Sequence, residues 1–318
     1  MKKLVLTCFV YGILILLVLE LGVRAFHLTK DYPVRYIDKF GVEKWQPNQT
    51  GYSVTGNRKQ NFSEYRINNS GFNSYREFTP SSDKTEIALV GDSFIEGFHQ
   101  DYYNSIGKKI ENNIGDIEVY EYGYAGYDLA DQLHLMHQYQ NTFKLIDYVF
   151  IGLEFDTDLL RPEYSISNER MKLETPVYKI LRQCKLLVYL QSIGILDAPK
   201  NLISKLSKAN KIKAQTTEQE LYPLYLNNFK HLVNTYHFDK NKYIFLIDAK
   251  KTPASFLNYL NNNQYRYLDF SETLNRSKNS TTLIYDMHWN NYGRTLIAET
   301  IGSYVLQSGT SKSQLTNF

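Results

Sequence analysis

The short, mostly apolar run Glu86–Val90 leads directly into Gly91-Asp92-Ser93, and a further glycine follows at Gly97. A run of this length predicts a buried strand. A serine at a strand end with glycines on both sides is placed to act as a nucleophile, because the strand fixes the backbone and the glycines allow a tight turn and close approach of a substrate. The pattern predicts an α/β fold in which Ser93 is catalytic, provided that the chain supplies a base, an orienting acid and an oxyanion site.

Strands and helices alternate along the chain after this point. Strands are predicted at 86–90, 117–122, 148–153, 243–247 and 265–269, and helices at 103–113, 129–139 and 290–306. This order predicts a three-layer α/β/α sandwich around a mainly parallel five-stranded sheet. Ligands of such sheets bind beyond the carboxyl ends of the strands, which is where Ser93 lies.

The N-terminus predicts one transmembrane helix. Lys2 and Lys3 precede an apolar run from Leu4 to about Val23, and about 20 apolar residues are enough to span a bilayer. The end of the run has no small-x-small cleavage site, which favours an uncleaved anchor over a signal peptide. The paired lysines favour a cytoplasmic N-terminus, so the catalytic domain is expected outside the cytoplasm, at the periplasmic side or the cell surface.

The chain divides into an anchor at 1–25, a juxtamembrane arm at 26–82, an α/β domain at 83–308 and a flexible tail at 309–318. A helical insertion at about 159–220 interrupts the α/β pattern. The arm keeps several aromatic residues, so it is predicted to pack on the domain.

The insertion carries a group of basic residues: Lys200, Lys205, Lys208, Lys211 and Lys213. A solvated basic helix is the simplest interpretation of such a charge run. A lid, a partner surface and a membrane-facing patch remain open as alternatives.

Composition limits the function classes. A net charge of +3 without a recognisable nucleic-acid motif gives no support for a nucleic-acid partner. The 27 tyrosines are suited to glycan contact, although a compositional bias shared by core and surface explains them more simply. Cys8 lies in the apolar N-terminal run, so a disulfide with Cys184 is not expected, and no cysteine spacing indicates a metal site. No metal or cofactor is predicted.

A second motif, Asp286-Met287-His288, precedes the last predicted helix. The Asp286 carboxylate can accept from one imidazole nitrogen of His288, fix its tautomer and stabilise the imidazolium. The other nitrogen is then free to take a proton from Ser93. His99, close to the nucleophile loop, is the second candidate for the base.

The strand followed by Gly-Asp-Ser, together with Asp-x-His before the last helix, resembles the SGNH (GDSL-type) hydrolase family in four separated blocks. The resemblance implies a flavodoxin-like SGNH fold, with Ser93 as nucleophile and Gly126 as the glycine whose N–H faces the oxyanion. The shortened form running from Asp286 to Trp289 is similar to that of membrane-anchored SGNH-like proteins of exopolysaccharide O-acetylation.

One block departs from the family pattern. The family places an oxyanion-donating Asn after its third strand, but the segment from Gly152 to Asp158 contains no Asn. Its place falls on Glu154 or on Thr157, depending on where the count starts. An ionised carboxylate cannot donate, and losing one oxyanion donor costs about 3–4 kcal/mol. The Thr157 hydroxyl is the preferred replacement for the Asn donor. Two alternatives remain open: backbone N–H groups bind the oxyanion alone, or the site has become weak.

These observations predict a membrane-anchored serine esterase or O-acyltransferase that acts on acyl esters, acetyl in particular, of an extracytoplasmic glycan. An acyl-serine at Ser93 would pass to water or to a sugar hydroxyl. A single span cannot carry an acyl group across a membrane, so transfer would require a multi-pass donor partner or an exported donor. A catalytically inactive glycan-binding or scaffolding protein of the cell envelope is the alternative. A lipid-directed esterase whose basic insertion rests on anionic headgroups is the third reading.

Overall fold

The structure is a computed structural model that describes residues 1–56, 59–81, 83–196 and 218–315. Its strands are β1 (Arg35–Ile37), β2 (Glu43–Trp45), β3 (Thr50–Thr55), β4 (Asn61–Arg66), β5 (Thr85–Gly91), β6 (Ile117–Gly123), β7 (Tyr148–Gly152), β8 (Tyr243–Ile247) and β9 (Tyr267–Asp269). Its α-helices are α1 (Lys2–Ala25), α2 (Ser93–Glu96), α3 (Ile106–Ile114), α4 (Leu129–Gln138), α5 (Gln140–Phe143), α6 (Phe155–Asp158), α7 (Asn168–Lys172), α8 (Pro176–Gln183), α9 (Lys185–Ser192), α10 (Glu218–Thr235), α11 (Ala254–Asn262), α12 (Ser271–Asn275) and α13 (Asn291–Leu315).

The central sheet has five parallel strands in the order β6-β5-β7-β8-β9, which confirms the predicted fold class. Val90 near the end of β5 is in register with Tyr122 of β6 on one side and with Ile151 of β7 on the other. The chain leaves β5 first toward β6 and later toward β7. The carboxyl ends of β5 and β7 therefore form a switch point, where open α/β sheets bind their ligands.

Successive residues of β5 face opposite sides of the sheet, as the pleat requires. Ile87 and Leu89 are buried in a core that includes residues of α3 and α13. Ala88 and Val90 are buried in a second core that includes residues of α4, α10, α11 and the arm. Full burial of each large apolar side chain stabilises the fold by about 1.5–3 kcal/mol. The two cores make the sheet the middle of three layers.

Helix α1 has 24 residues and would be about 36 Å long at 1.5 Å per residue. Its apolar side chains between Leu4 and Leu21 are exposed. By length and composition it can cross a membrane, a property that an N-terminal signal sequence shares.

The arm forms two antiparallel strand pairs, β1 with β2 and β3 with β4. Trp45, Tyr65 and Phe72 of the arm are buried in the same core as β5. The strand pairs are short, so their periodicity is too weak to recognise in the sequence.

One buried carboxylate joins the arm to the loops after β5 and β6. Trp45 Nε1 donates to Glu96 Oε1 at 2.6 Å, and the main-chain N–H of Ala125 donates to the same oxygen at 3.1 Å. Asn73 Nδ2 donates to the main-chain carbonyl of Glu96 at 2.8 Å. Burial raises the pKa of Glu96 to about 7, although the hydrogen bonds from Ala125 and Trp45 act to lower it.

Three element boundaries differ from the predictions by two residues or more. The helix expected from 103 begins at Ile106, because the Ser105 side chain accepts from the Lys108 N–H and caps it. Strand β9 begins at Tyr267 because only three of its residues pair with β8. The closing helix extends to Leu315 and takes in most of the tail predicted at 309–318, since this segment has no proline to end a helix.

The predicted insertion contains α7, α8 and α9, and the first turn of α10. The five lysines that the sequence singles out in it, Lys200 to Lys213, lie outside the described residues.

We expect Glu96 to make stability depend on pH. Its folded pKa of about 7 lies above the ordinary 4.5, so its contribution is full below pH 4.5 and is lost as the pH rises through 7. Glu96→Gln keeps an acceptor for Trp45 but cannot ionise. This variant should therefore exceed the wild type in unfolding free energy at pH 8, by up to about 3 kcal/mol, and match it at pH 4.

The measurement is the thermal unfolding of the detergent-solubilised full chain between pH 4 and pH 8. Glu163→Gln is the control, because Glu163 is an exposed carboxylate. A wild type and a Glu96→Gln variant with the same pH dependence would contradict the expectation.

Candidate active site

The nucleophile loop follows from the way β5 ends. The Asp92 side chain accepts from the Phe94 N–H at 2.9 Å and caps the short helix α2, whose first residue is Ser93. Gly97 ends this helix with a φ of 70°, a left-handed conformation that glycine adopts without strain. Ser93 is thereby held, half-buried, at the carboxyl edge of the sheet.

Asp286 and His288 lie on a tight loop before α13. A bridge between Thr282 and Trp289 closes the loop, and the Leu283 N–H donates to the His288 carbonyl at 2.9 Å. These main-chain bonds fix the segment that presents both side chains to Ser93.

The structure brings Ser93, His288 and Asp286 into one hydrogen-bonded chain. His288 Nε2 lies 2.7 Å from Ser93 Oγ. The other ring nitrogen, Nδ1, contacts Asp286 Oδ1, and the main-chain N–H of His288 donates to the same oxygen at 3.1 Å. An imidazole held in this way accepts a proton at Nε2 and is stabilised as imidazolium by the carboxylate.

His99 lies beside this chain and contacts its acid. His99 Nε2 is 3.1 Å from Asp286 Oδ2, and its ring stacks on that of His288 with centroids 3.7 Å apart and planes 19° apart. Burial, together with the neighbouring His288, lowers the pKa of His99 to about 4, although Asp286 acts to raise it. His99 is therefore neutral at pH 7, with its Nε2 facing Asp286 Oδ2. It is placed to orient the acid and not to deprotonate Ser93.

Asp286 is ionised at neutral pH. Burial acts to raise its pKa, but the hydrogen bond from His288 and the proximity of His99 lower the pKa below the ordinary value. Asp286 Oδ1 is held by the main-chain N–H of His288 and faces its Nδ1, and this fixes the tautomer of His288.

Among the described residues, His99, Asp286 and His288 form a cluster whose potential metal-ligating atoms lie within 4.8 Å of one another. The two imidazole rings are nearly parallel, so their nitrogen lone pairs run side by side and do not converge on one ion. Asp286 Oδ1 already accepts from the main-chain N–H of His288, and Oδ2 faces His99 Nε2. This donor geometry suits proton transfer and does not fit a tetrahedral or octahedral metal.

Gly126 lies in the loop between β6 and α4, with a φ of 88° that favours glycine. Arg170 Nη1 donates to its carbonyl at 2.5 Å, and the preceding Ala125 is held by Glu96. Within the described part of the chain, no hydrogen bond uses the Gly126 N–H. This exposed group remains available to an oxyanion.

The loop after β7 is acidic. The Thr157 hydroxyl donates to Glu154 Oε2 at 2.9 Å, and both side chains are exposed. Asp158 Oδ2 accepts from the Glu154 N–H at 2.8 Å, and burial raises the pKa of Asp158 well above its usual value. Thr157 would have to rotate away from Glu154 before it could donate to an oxyanion.

Two buried charged residues behind the site, Glu96 and Arg294, could not be identified from any pattern in the sequence. From the sequence alone, Glu96 would be taken for an exposed residue of a helix, but in the structure the arm covers it. Arg294 of α13 is almost fully buried, and a Cβ added to Gly97 would lie 2.9 Å from its Nη1. Their proximity to the Ser93 loop depends on tertiary packing alone.

No protein-family model and no curated protein matches the chain. Among solved structures it is similar to the psychrotrophic esterase EstA from Pseudoalteromonas sp., at 12% identity and a TM-score of 0.39, over 71% of this chain and 99% of the esterase. The lipase/acylhydrolase from Enterococcus faecalis is 10% identical with a TM-score of 0.39, over 70% of this chain and 95% of the lipase. A member of the lipolytic protein G-D-S-L family from Veillonella parvula is 13% identical with a TM-score of 0.36, over 68% of this chain and 95% of that protein. At this level of similarity, the functional assignment rests on the geometry of the site.

His99 provides a test of that geometry. His99→Phe keeps an aromatic ring against His288 but removes the polar nitrogen that faces Asp286, whereas His99→Gln keeps a polar group that can donate. We expect kcat on p-nitrophenyl acetate to fall roughly 10-fold to 100-fold in His99→Phe, with KM unchanged. This loss is smaller than the about 10⁴-fold effect of altering a triad acid.

His99→Gln should recover most of the lost activity. His134→Phe is the control, because His134 stacks on Tyr164 and takes no part in the chain of hydrogen bonds. Equal losses in the two His99 variants would assign His99 a packing role only.

Proposed function

We propose that the protein is a serine esterase or O-acyltransferase that works through an acyl-serine at Ser93. The observation that carries this proposal is the hydrogen-bonded chain from Ser93 Oγ through His288 to Asp286. Nucleophile, base and orienting acid each occupy the position that acyl transfer requires.

In this mechanism Ser93 Oγ attacks the ester carbonyl carbon while His288 Nε2 takes the hydroxyl proton. The tetrahedral intermediate collapses, His288 returns the proton to the leaving alcohol, and the acyl group remains on Ser93. His288 then deprotonates water or a sugar hydroxyl, which attacks the acyl-serine and restores the free hydroxyl. In this mechanism the N–H groups of Ser93 and Gly126 donate to the oxyanion and stabilise the charge that develops on it.

We place this chemistry on a glycan outside the cytoplasm. The apolar helix α1 supports membrane attachment, and the shortened Asp286-to-Trp289 motif supports the link with polysaccharide O-acetylation. The tyrosine content adds no support, because many tyrosines, such as Tyr120, Tyr122 and Tyr124, are buried in the core. Product analysis with an acetyl donor and a polysaccharide acceptor separates hydrolysis from transfer.

A catalytically inactive glycan-binding protein is the second candidate. It is favoured by the acidic loop after β7, where Glu154 occupies one of the two Asn registers and holds the Thr157 hydroxyl. A site of this kind would bind a saccharide and leave acetyl esters intact.

Ser93→Ala should lower the hydrolysis of p-nitrophenyl acetate at least about 10³-fold, because the nucleophile is lost. A fluorophosphonate probe should label the wild type at Ser93, and His288→Ala, which keeps the hydroxyl but removes its base, should label far more slowly. A folded Ser93→Ala protein with the wild-type rate would overturn the esterase proposal. Saccharide binding without labelling of the wild type would favour the second candidate.

Thr157→Val tests the loop after β7, which lacks the Asn of the family pattern. Because the hydroxyl donates to Glu154, we expect kcat to change by less than about threefold, whereas removal of a working oxyanion donor costs 10²–10³-fold. Thr157→Ser, which keeps the hydroxyl, is the matched control. A loss of 10²-fold or more in Thr157→Val alone would show that the hydroxyl rotates and serves the oxyanion.

A further inference from the structure

Helix α8 presents an apolar face that the described part of the chain leaves uncovered. Val177, Ile180 and Leu181 occupy positions i, i+3 and i+4, which share one side of a helix. Their side chains are 65%, 71% and 42% exposed. Isolated exposed apolar residues are common, but three on one face of an eight-residue helix form a contact surface.

The opposite side of α8 is basic and turned toward the protein. Arg182 Nη2 lies 3.2 Å and Lys179 Nζ lies 3.8 Å from Glu174 Oε2. Glu174 is almost fully buried, so its carboxylate fixes which side of the helix faces inward. The apolar side therefore faces away from the domain.

The junction of α8 and α9 is fastened to the end of α1. The Glu20 carboxylate of α1 accepts the N–H groups of Lys185 at 3.0 Å and Leu186 at 2.6 Å, the first two residues of α9. It replaces the side-chain cap that α9 lacks. Arg24 contacts the carbonyl of Gln183, the last residue of α8.

This attachment sets the depth of α8 relative to a bilayer. Between Leu4 and Leu19 helix α1 contains no charged residue, and Glu20 and Arg24 are the first charges after that stretch. Charged side chains at the end of a membrane helix mark the level at which it leaves the hydrocarbon. Since Arg24 contacts Gln183, the C-terminal end of α8 lies beside the end of α1, at the level where α1 would leave the hydrocarbon.

We propose that α8 is an interfacial helix that inserts Val177, Ile180 and Leu181 into the membrane leaflet from which α1 emerges. The inference rests on the proposed membrane attachment through α1. A bilayer is the occupant because α8 ends beside the charged end of α1, whose apolar side chains from Leu4 to Leu21 are exposed. Together α1 and α8 hold the catalytic domain in one orientation on the membrane.

Depth-dependent fluorescence quenching tests the proposal on the full-length protein in liposomes of phosphatidylcholine and phosphatidylglycerol. Three proteins each carry one cysteine labelled with an environment-sensitive fluorophore. The first keeps Cys8 in a Cys184→Ser background, and the others carry Ile180→Cys or Lys179→Cys with both native cysteines replaced by serine. Position 179 is the matched control, one residue away on the opposite side of α8.

We expect brominated lipid acyl chains to quench the reporter at position 180 about twofold, with blue-shifted emission, because interfacial helices bury their apolar face about 5–10 Å deep. The reporter at position 179 should be quenched far less, and the one at Cys8 most strongly. Equal, weak quenching at positions 179 and 180 with strong quenching at Cys8 would overturn the proposal for α8 and leave the anchor intact. An unquenched Cys8 reporter would overturn the membrane attachment itself, and the role of α8 with it.

Discussion

The buried carboxylate of Glu96 is the contact on which the arrangement of the site depends. One of its oxygens accepts from Trp45 of the arm and from the N–H of Ala125, the residue before Gly126. Glu96 ends the short helix that starts at Ser93, so the nucleophile and the glycine with a free N–H are held by the same side chain. A buried polar group of this kind is tolerated only when its partners are all in place. The arm is therefore part of the catalytic domain in a physical sense, although it precedes the first strand of the central sheet.

Much of the fold could be predicted because local pattern and tertiary environment agree. The strand at Tyr243–Ile247 has the predicted limits, β6 and β7 differ from theirs by one residue at one end, and β5 differs by one residue at each end. Strands β5, β7 and β8 are buried on both faces, so each contains a continuous apolar run. The hairpins of the arm were not predicted, because their strands are short, half-buried and stabilised by contacts distant in sequence. Helix ends depended on single caps such as Ser105.

The candidate site, like the fold, could be predicted only in part. Ser93, Asp286 and His288 were assigned from motifs, and the structure places them within hydrogen-bonding distance of one another. What His99 contacts could not be inferred from sequence, because it depends on how two loops meet. The partner of the Thr157 hydroxyl depends on side-chain rotamers within one turn of helix, where Glu154 competes with any oxyanion. The motifs identify the residues of the site, whereas the packing of the folded chain determines which hydrogen bonds those residues make.

Ser93 and His288 are 195 residues apart in the chain, and the base comes from the loop before the last helix. A growing polypeptide thus produces Ser93 long before the loop that carries His288. Until α13 packs into the core beside β5, the serine has no imidazole next to it and is an ordinary alcohol. The order in which the chain builds its elements therefore makes the reactivity of Ser93 depend on folding of a segment far along the sequence.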